Sequence, residues 1–181
     1  MSNNLISIFI FLITFLFSCK KEKESTSSNN PVAKIDVSNI TLTDYAGNIM
    51  FYVDTTDWRF DNNWTSEEFA LFTKPDSGQL ADTKKSSITV HPAYPNPFKN
   101  ILQLSIFHSK AVFFQLVITD SLLTIKDKFS FKNMNTSNSI FSIKLSDTGY
   151  VNSTNYRLYY SFSSETDRNY YKGHGDIKIS N

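Results

Sequence analysis

Leu102-Gln103-Leu104-Ser105-Ile106-Phe107 and, shortly after it, Val112-Phe113-Phe114-Gln115-Leu116-Val117-Ile118 carry the pattern on which the fold turns. In the first stretch Leu102, Leu104 and Ile106 alternate with Gln103, Ser105 and Phe107. In the second, Val112, Phe114, Leu116 and Ile118 share one face and Phe113, Gln115 and Val117 the other. Successive side chains of a strand point to opposite faces, so a period of two marks a strand and names its inward set. The signal recurs over Thr124–Phe131, Ile140–Leu145 and Tyr156–Phe162, and again near Ile177–Ile179, with Asn, Ser, Asp and Gly clusters between.

Upstream, Ile88-Thr89-Val90 is a further short candidate. Ile35 and Val37 alternate with Asp36 and Ser38, and Ile49, Phe51 and Val53 with Met50, Tyr52 and Asp54. Joined through the turn sequence Ala46-Gly47-Asn48, these predict two more strands. One stretch breaks the rule. Thr65-Ser66-Glu67-Glu68 has the form of a capping box, with Thr65 as N-cap and Glu68 reaching back. Phe69 and Phe72 follow on one face, which predicts a helix over Ser66–Phe72, ended by Pro75-Asp76-Ser77-Gly78. Pro92, Pro95 and Pro97 exclude a central strand from His91–Phe98 and make it stiff and extended. The sum is an all-β chain, an antiparallel β-sandwich with one short helix.

Sixteen Phe and nine Tyr among 181 residues agree with strands. Eighteen basic against 17 acidic residues leave a net charge of +1. Nucleic-acid binding rests on clustered Lys and Arg that neutralise phosphates, so this balance argues against it. The first residues are different in kind. Leu5 to Phe17 is nearly all Leu, Ile and Phe, a run shorter than the roughly 20 residues of a membrane-spanning helix and suited to a signal peptide. Leu16-Phe17-Ser18-Cys19 resembles a lipobox, which implies cleavage between Ser18 and Cys19 and lipid on the Cys19 sulfur. Cys19 is the single cysteine, so no internal disulfide competes for it. A plain signal peptide or an uncleaved anchor is the alternative. Lys20-Lys21-Glu22-Lys23-Glu24 and the Ser, Thr and Asn residues that follow have nothing to bury before Val32 and read as a solvated tether. The expected organisation is therefore a signal peptide over residues 1–18, a lipid anchor and flexible linker over 19–34, and a β-sandwich over 35–181. In type this is similar to the lipoproteins of the Bacteroidota. That likeness implies an outer-membrane anchor, facing either the periplasm or the surface.

Ala93-Tyr94-Pro95-Asn96-Pro97-Phe98, with strands after it and Leu116-Val117-Ile118-Thr119-Asp120 closing one of them, resembles the immunoglobulin-like sandwich of type IX secretion sorting domains and flagellar-hook-capping domains. The likeness spans roughly residues 88–181. Ser121-Leu122-Leu123 stands where those families place a glycine. The resemblance implies an immunoglobulin-like fold and, as one alternative, a secretion-associated domain processed in its C-terminal half.

Candidate sites are few. Asp54, Asp57 and Asp61, with Asn62 and Asn63, form an acidic patch of hard oxygen ligands that suits calcium, without the EF-hand spacing. Loop solvation and turn capping explain the same residues. Trp58 and Trp64 flank the patch; they suit either stacking on a sugar ring or, preferred here, plugging the open edge of the sandwich. His91, His108 and His174 have no metal-ligand spacing, and His174 between Gly173 and Gly175 reads as a polar turn residue. No G-x-S-x-G elbow, Walker loop or HExxH appears, so no enzyme, metal or other cofactor is expected. The expected role is a membrane-anchored envelope module that presents a non-catalytic sandwich to protein or polysaccharide.

Overall fold

The computed structural model describes residues 32–73, 86–134, 138–145, 149–164 and 167–180. Ser18, Cys19, linker residues 19–31 and the Pro75–Gly78 stretch lie outside them. The element order is β1 (Arg59–Phe60), α1 (Ser66–Ala70), β2 (Ile88–Val90), β3 (Ile101–His108), β4 (Val112–Thr119), β5 (Ile125–Met134), β6 (Asn138–Lys144), β7 (Asn155–Ser163) and β8 (Tyr171–Lys178). They form a five-stranded sheet, β1-β8-β7-β4-β5, and a three-stranded sheet, β2-β3-β6. Every strand pairing is antiparallel. The chain crosses between sheets after β1, β3, β5 and β6, and β2-β3-β6 faces β8-β7-β4-β5 in a β-sandwich. A tyrosine corner marks the entry to β7. The Tyr156 hydroxyl accepts from the Val151 N–H at 2.7 Å, pinning the preceding loop.

Between the sheets the inward sets meet as their alternation requires. Leu102, Leu104 and Ile106 of β3 pack with Phe114, Leu116 and Ile118 of β4 and with Leu158, Tyr160 and Phe162 of β7. Phe114 is the centre of an aromatic group, with ring centroids 4.6 Å from Phe162, 5.3 Å from Phe141 and 5.7 Å from Phe131. Yet β4 is buried on both faces, because its outward set is covered too. Val117 and Tyr159 pack there with Trp64 and Leu71 in a second, smaller core.

That cover is residues 32–73, and here the structure departs from the expected pair of strands. At Ile35–Val37 the carbonyls a sheet ladder would use are taken by side chains. Arg157 Nη2 donates to the Asp36 carbonyl at 2.5 Å, and Asn155 Nδ2 to that of Val37 at 2.6 Å. Ile35 turns into the second core. Ile49–Val53 forms no strand either: only Thr43 and Ile49 bridge, and the run stays exposed on both sides. Its alternation therefore reports no buried face. The helix ends at Ala70 rather than Phe72, because the N–H groups of Leu71 and Phe72 reach back three residues, to the Glu68 and Phe69 carbonyls. The capping box forms as its spelling requires. Lys128 Nζ, reaching from β5, closes the other end of the helix on the Leu71 carbonyl at 2.6 Å.

The Pro-rich stretch ties the layers together through Asn96, which is fully buried. Its side-chain amide donates to the carbonyls of Thr41 and Asp176, its side-chain oxygen accepts from the Lys178 N–H, and its backbone pairs with Thr43. Every polar group of Asn96 thus has a partner, which a buried amide needs.

Candidate functional site

The outward face of β7 and β8 carries Arg157 opposite Asp176, Tyr159 opposite His174 and Ser161 opposite Lys172. Strand alternation delivers them. On β8 the inward positions fall to Tyr171, Gly173, Gly175 and Ile177, and the outward ones to Lys172, His174 and Asp176. Parts of residues 36–64 cover this face, with the Asp36 carbonyl on Arg157 and Trp64 against Tyr159, while Arg59–Phe60 runs along the edge of β8. The Trp58 N–H donates to the His174 carbonyl at 2.7 Å and the Asp61 N–H to that of Lys172 at 2.8 Å, on either side of the short β1–β8 pairing.

Beneath the crossing segment the polar groups are tightly matched. Arg157 Nε and Nη2 donate to the two Asp176 oxygens at 2.7 and 2.8 Å, a bidentate fork. Burial pushes the Asp176 carboxyl up while the Arg157 hydrogen bonds pull it back. Burial also works against the Arg157 charge, but Asp176 holds its proton more tightly than usual. Glu68 accepts from the Tyr159 hydroxyl at 2.8 Å and from the Thr65 N–H at 2.7 Å. The ammonium of buried Lys172 stands 5.3 Å from the Phe60 and Phe69 rings and 5.9 Å from Trp64.

Two groups are less well matched. Asp57 has one oxygen 3.4 Å from the Thr41 hydroxyl and the other without a partner. Burial, and after it the nearby Asp176 charge, raises its carboxyl from 3.8 to about 7. The Nδ1 of His174 is 3.3 Å from an Asp61 oxygen but off the hydrogen-bonding direction. Burial and the Arg157 charge lower this imidazole to about 4, so it is neutral at pH 7.

The expected patch is thereby divided. Asp54 caps its own turn, accepting from the Thr56 N–H and hydroxyl at 2.8 and 2.7 Å. Asp61 does the same for the Asn63 N–H at 2.7 Å. Asp57 is buried, close enough to both Asp176 and Asp54 for their charges to act on its carboxyl. Among the described residues no group of three or more His, Cys, Asp or Glu side chains could hold a metal ion. Trp58 lies inside the sandwich against Gly175, stacked 6.5 Å from Tyr160. Trp64 lies in the outer core, edge-on to Tyr159 at 5.5 Å and stacked on Phe72 at 5.1 Å. Neither indole ring presents a face to solvent, at 7% and 6% exposure.

What opens to solvent instead is a cleft of about 410 Å³ around His174, bordered by Asp36, Asn39, Tyr52, Asp54 and Arg157. A neighbouring cleft of about 440 Å³ on the far side of His174 is bordered by Thr56, Arg59, Asp61 and Asn63. His174 was expected in a turn and sits instead in the middle of β8, because the flanking glycines leave room for inward aromatic rings rather than for a bend. Arg157 and Asp176 went unread altogether: the signal, a charged residue on the outward period of each strand, shows only once the strands are paired. No known protein family matches this sequence, and neither a characterised protein nor a solved structure shows significant similarity to it.

Proposed function

We propose that this chain is an envelope lipoprotein, held at a membrane through Cys19, whose sandwich binds polysaccharide in the cleft around His174. The observation that carries the reading is the cleft's composition. An exposed Tyr52 ring forms one wall beside hydroxyl- and carboxylate-bearing side chains, over a floor whose charges are already paired with each other. A tyrosine face with polar groups around it suits a sugar ring, which offers both C–H and O–H surfaces. A floor of compensated charge favours a neutral polyol over an ion. The role is non-catalytic, since the Arg157–Asp176 fork and the neutral His174 serve the fold. A secretion-associated role with C-terminal processing finds less support, because seven of the eight strands of the described residues follow Ser87 and a cut among them divides the sandwich. Among the described residues no helix is long and apolar enough to cross a membrane.

Titration of the purified protein with envelope polysaccharides tests the binding, with Tyr52→Ala as the probe. The variant is expected to keep its melting temperature and bind about tenfold more weakly, equivalent to about 1.4 kcal/mol. Unchanged affinity would remove the cleft from the reading. Labelled palmitate should tag the wild type and not Cys19→Ser.

A further inference from the structure

We propose that one end of the sandwich lies against the lipid bilayer itself, as a second membrane contact beside the acyl chains; this rests on the anchored reading above. Register gathers the parts of that end. Thr119 pairs with Arg157, Asn155 with Lys178 and Ile101 with Lys144, and Phe98 bridges Ile179. The turn after β4, the loop before β7, the end of β8 and the start of β3 are therefore neighbours. The described chain begins here as well: the N–H groups of Lys34 and Ile35 donate to the Ser121 carbonyl in the turn after β4.

Exposed apolar side chains collect at this same end. Val32, Ile101, Ile125 and Val151 all stand out into solvent. The loop between Asp44 and Val53, pinned at its base by the Thr43–Asn96 pairing, adds Tyr45 at 86% exposure and Phe51 at 99%. The loop is stiff despite its exposure. Asp44 accepts from the N–H groups of Ala46 and Asn48 and from the Asn48 amide, and Leu42 exchanges backbone hydrogen bonds with Met50 and Tyr52. A preorganised apolar loop loses little freedom on insertion. Tyrosine suits the headgroup level of a bilayer and phenylalanine the layer beneath it.

The bilayer is the occupant because of where the chain enters. In the anchored reading the lipid-bearing Cys19 stands only 13 positions before Val32, which ties this end of the described chain to the membrane. Such tethering raises the effective lipid concentration at these side chains far above that of any free partner. Charges around the end are mixed, Lys34, Lys99 and Lys178 against Asp36, Asp44 and Asp120, so the contact needs no anionic lipid.

Phe51→Cys places a thiol on the exposed return arm of the loop, opposite Leu42, and Ile140→Cys on β6 places one away from this end. Each variant, as the full mature protein with Cys19 lipidated, is labelled with an environment-sensitive fluorophore and reconstituted in phosphatidylcholine vesicles. The probe at 51 is expected to shift to the blue and to be quenched by spin-labelled lipid, while the probe at 140 stays water-like. A water-like probe at 51 on protein whose lipid is verified by mass spectrometry overturns the proposal. So does a blue shift without lipid quenching, which marks a protein contact or a second copy. If mass spectrometry finds no lipid on Cys19, the anchored reading fails by itself. Flotation of that unlipidated protein with the vesicles then decides the surface: binding lost in a Tyr45→Ser/Phe51→Ser variant upholds it, and no binding by the wild type overturns it.

Discussion

Asp57 and His174 lie under the same crossing segment and respond to pH in opposite senses. Folding raises the Asp57 carboxyl from 3.8 to about 7, so the folded protein binds that proton more readily than the unfolded chain. The resulting stabilisation is complete below the unfolded value and is lost as pH rises through about 7. Folding lowers His174 from 6.5 to about 4, so its contribution is complete above 6.5 and is lost as pH falls through about 4. Across the shared window the two trends oppose each other. Asp57→Asn keeps the shape and removes one trend. It is expected to be more stable than wild type at pH 8 by on the order of 4 kcal/mol, with the gain vanishing toward pH 4. Urea midpoints measured across that range check this, and a gain that does not vary with pH would show that the Asp57 charge is not its source.

Strand β8 shows how an element can be dictated by what crosses it. A methyl group on Gly175 would stand 2.2 Å from the nearest Trp58 ring carbon, and one on Gly173 would stand 2.0 Å from the Arg59 carbonyl oxygen. The glycines leave room for the Trp58 ring inside the sandwich and for the Arg59 carbonyl at the edge of the sheet. Gly175→Ala must move a buried indole and its partner Tyr160, at a cost of about 2–3 kcal/mol. A lowered urea midpoint with red-shifted tryptophan emission is the expected result; unchanged emission would mean that Trp58 does not seat on β8. The turn after β4 shows a related economy. Asp120 accepts from the N–H groups of Leu122 and Thr124, and Leu123 takes a left-handed φ of 62° at the turn where the resembled families carry a glycine. Leu123 is kept by its packing against the second core.

At the scale of the molecule the two cores have different reach. The inner one unites both sheets; the outer one joins residues 32–73 to the back of β4 and β7 through Trp64 and Leu71. Removing a buried Trp side chain costs about 3–5 kcal/mol, comparable with the lower range of a whole domain's stability. Trp64→Ala is therefore expected to loosen the outer layer first. Hydrogen exchange should speed up around Trp58–Phe72 while β3 and β6, remote from Trp64, keep their protection. Equal loss of protection in every strand would show that the layer and the sandwich open as one unit.

Alternation in β3, β4 and β7 determined the inward faces, and the Thr65–Glu68 spelling determined the helix start, because backbone geometry and capping act between residues a few positions apart. The reading of the apolar run closed by Cys19 is local in the same way. Where neighbours in sequence are not neighbours in space, local reading failed. Ile35–Val37 looked like a strand until Arg157 and Asn155 claimed its carbonyls, and Gly-His-Gly looked like a turn until Trp58 needed the space. The polar cleft belongs to the same class. His174, Arg157 and Asp54 lie far apart along the chain, and only the pairing of β7 with β8 beneath the crossing segment brings their burial and their charges to one place.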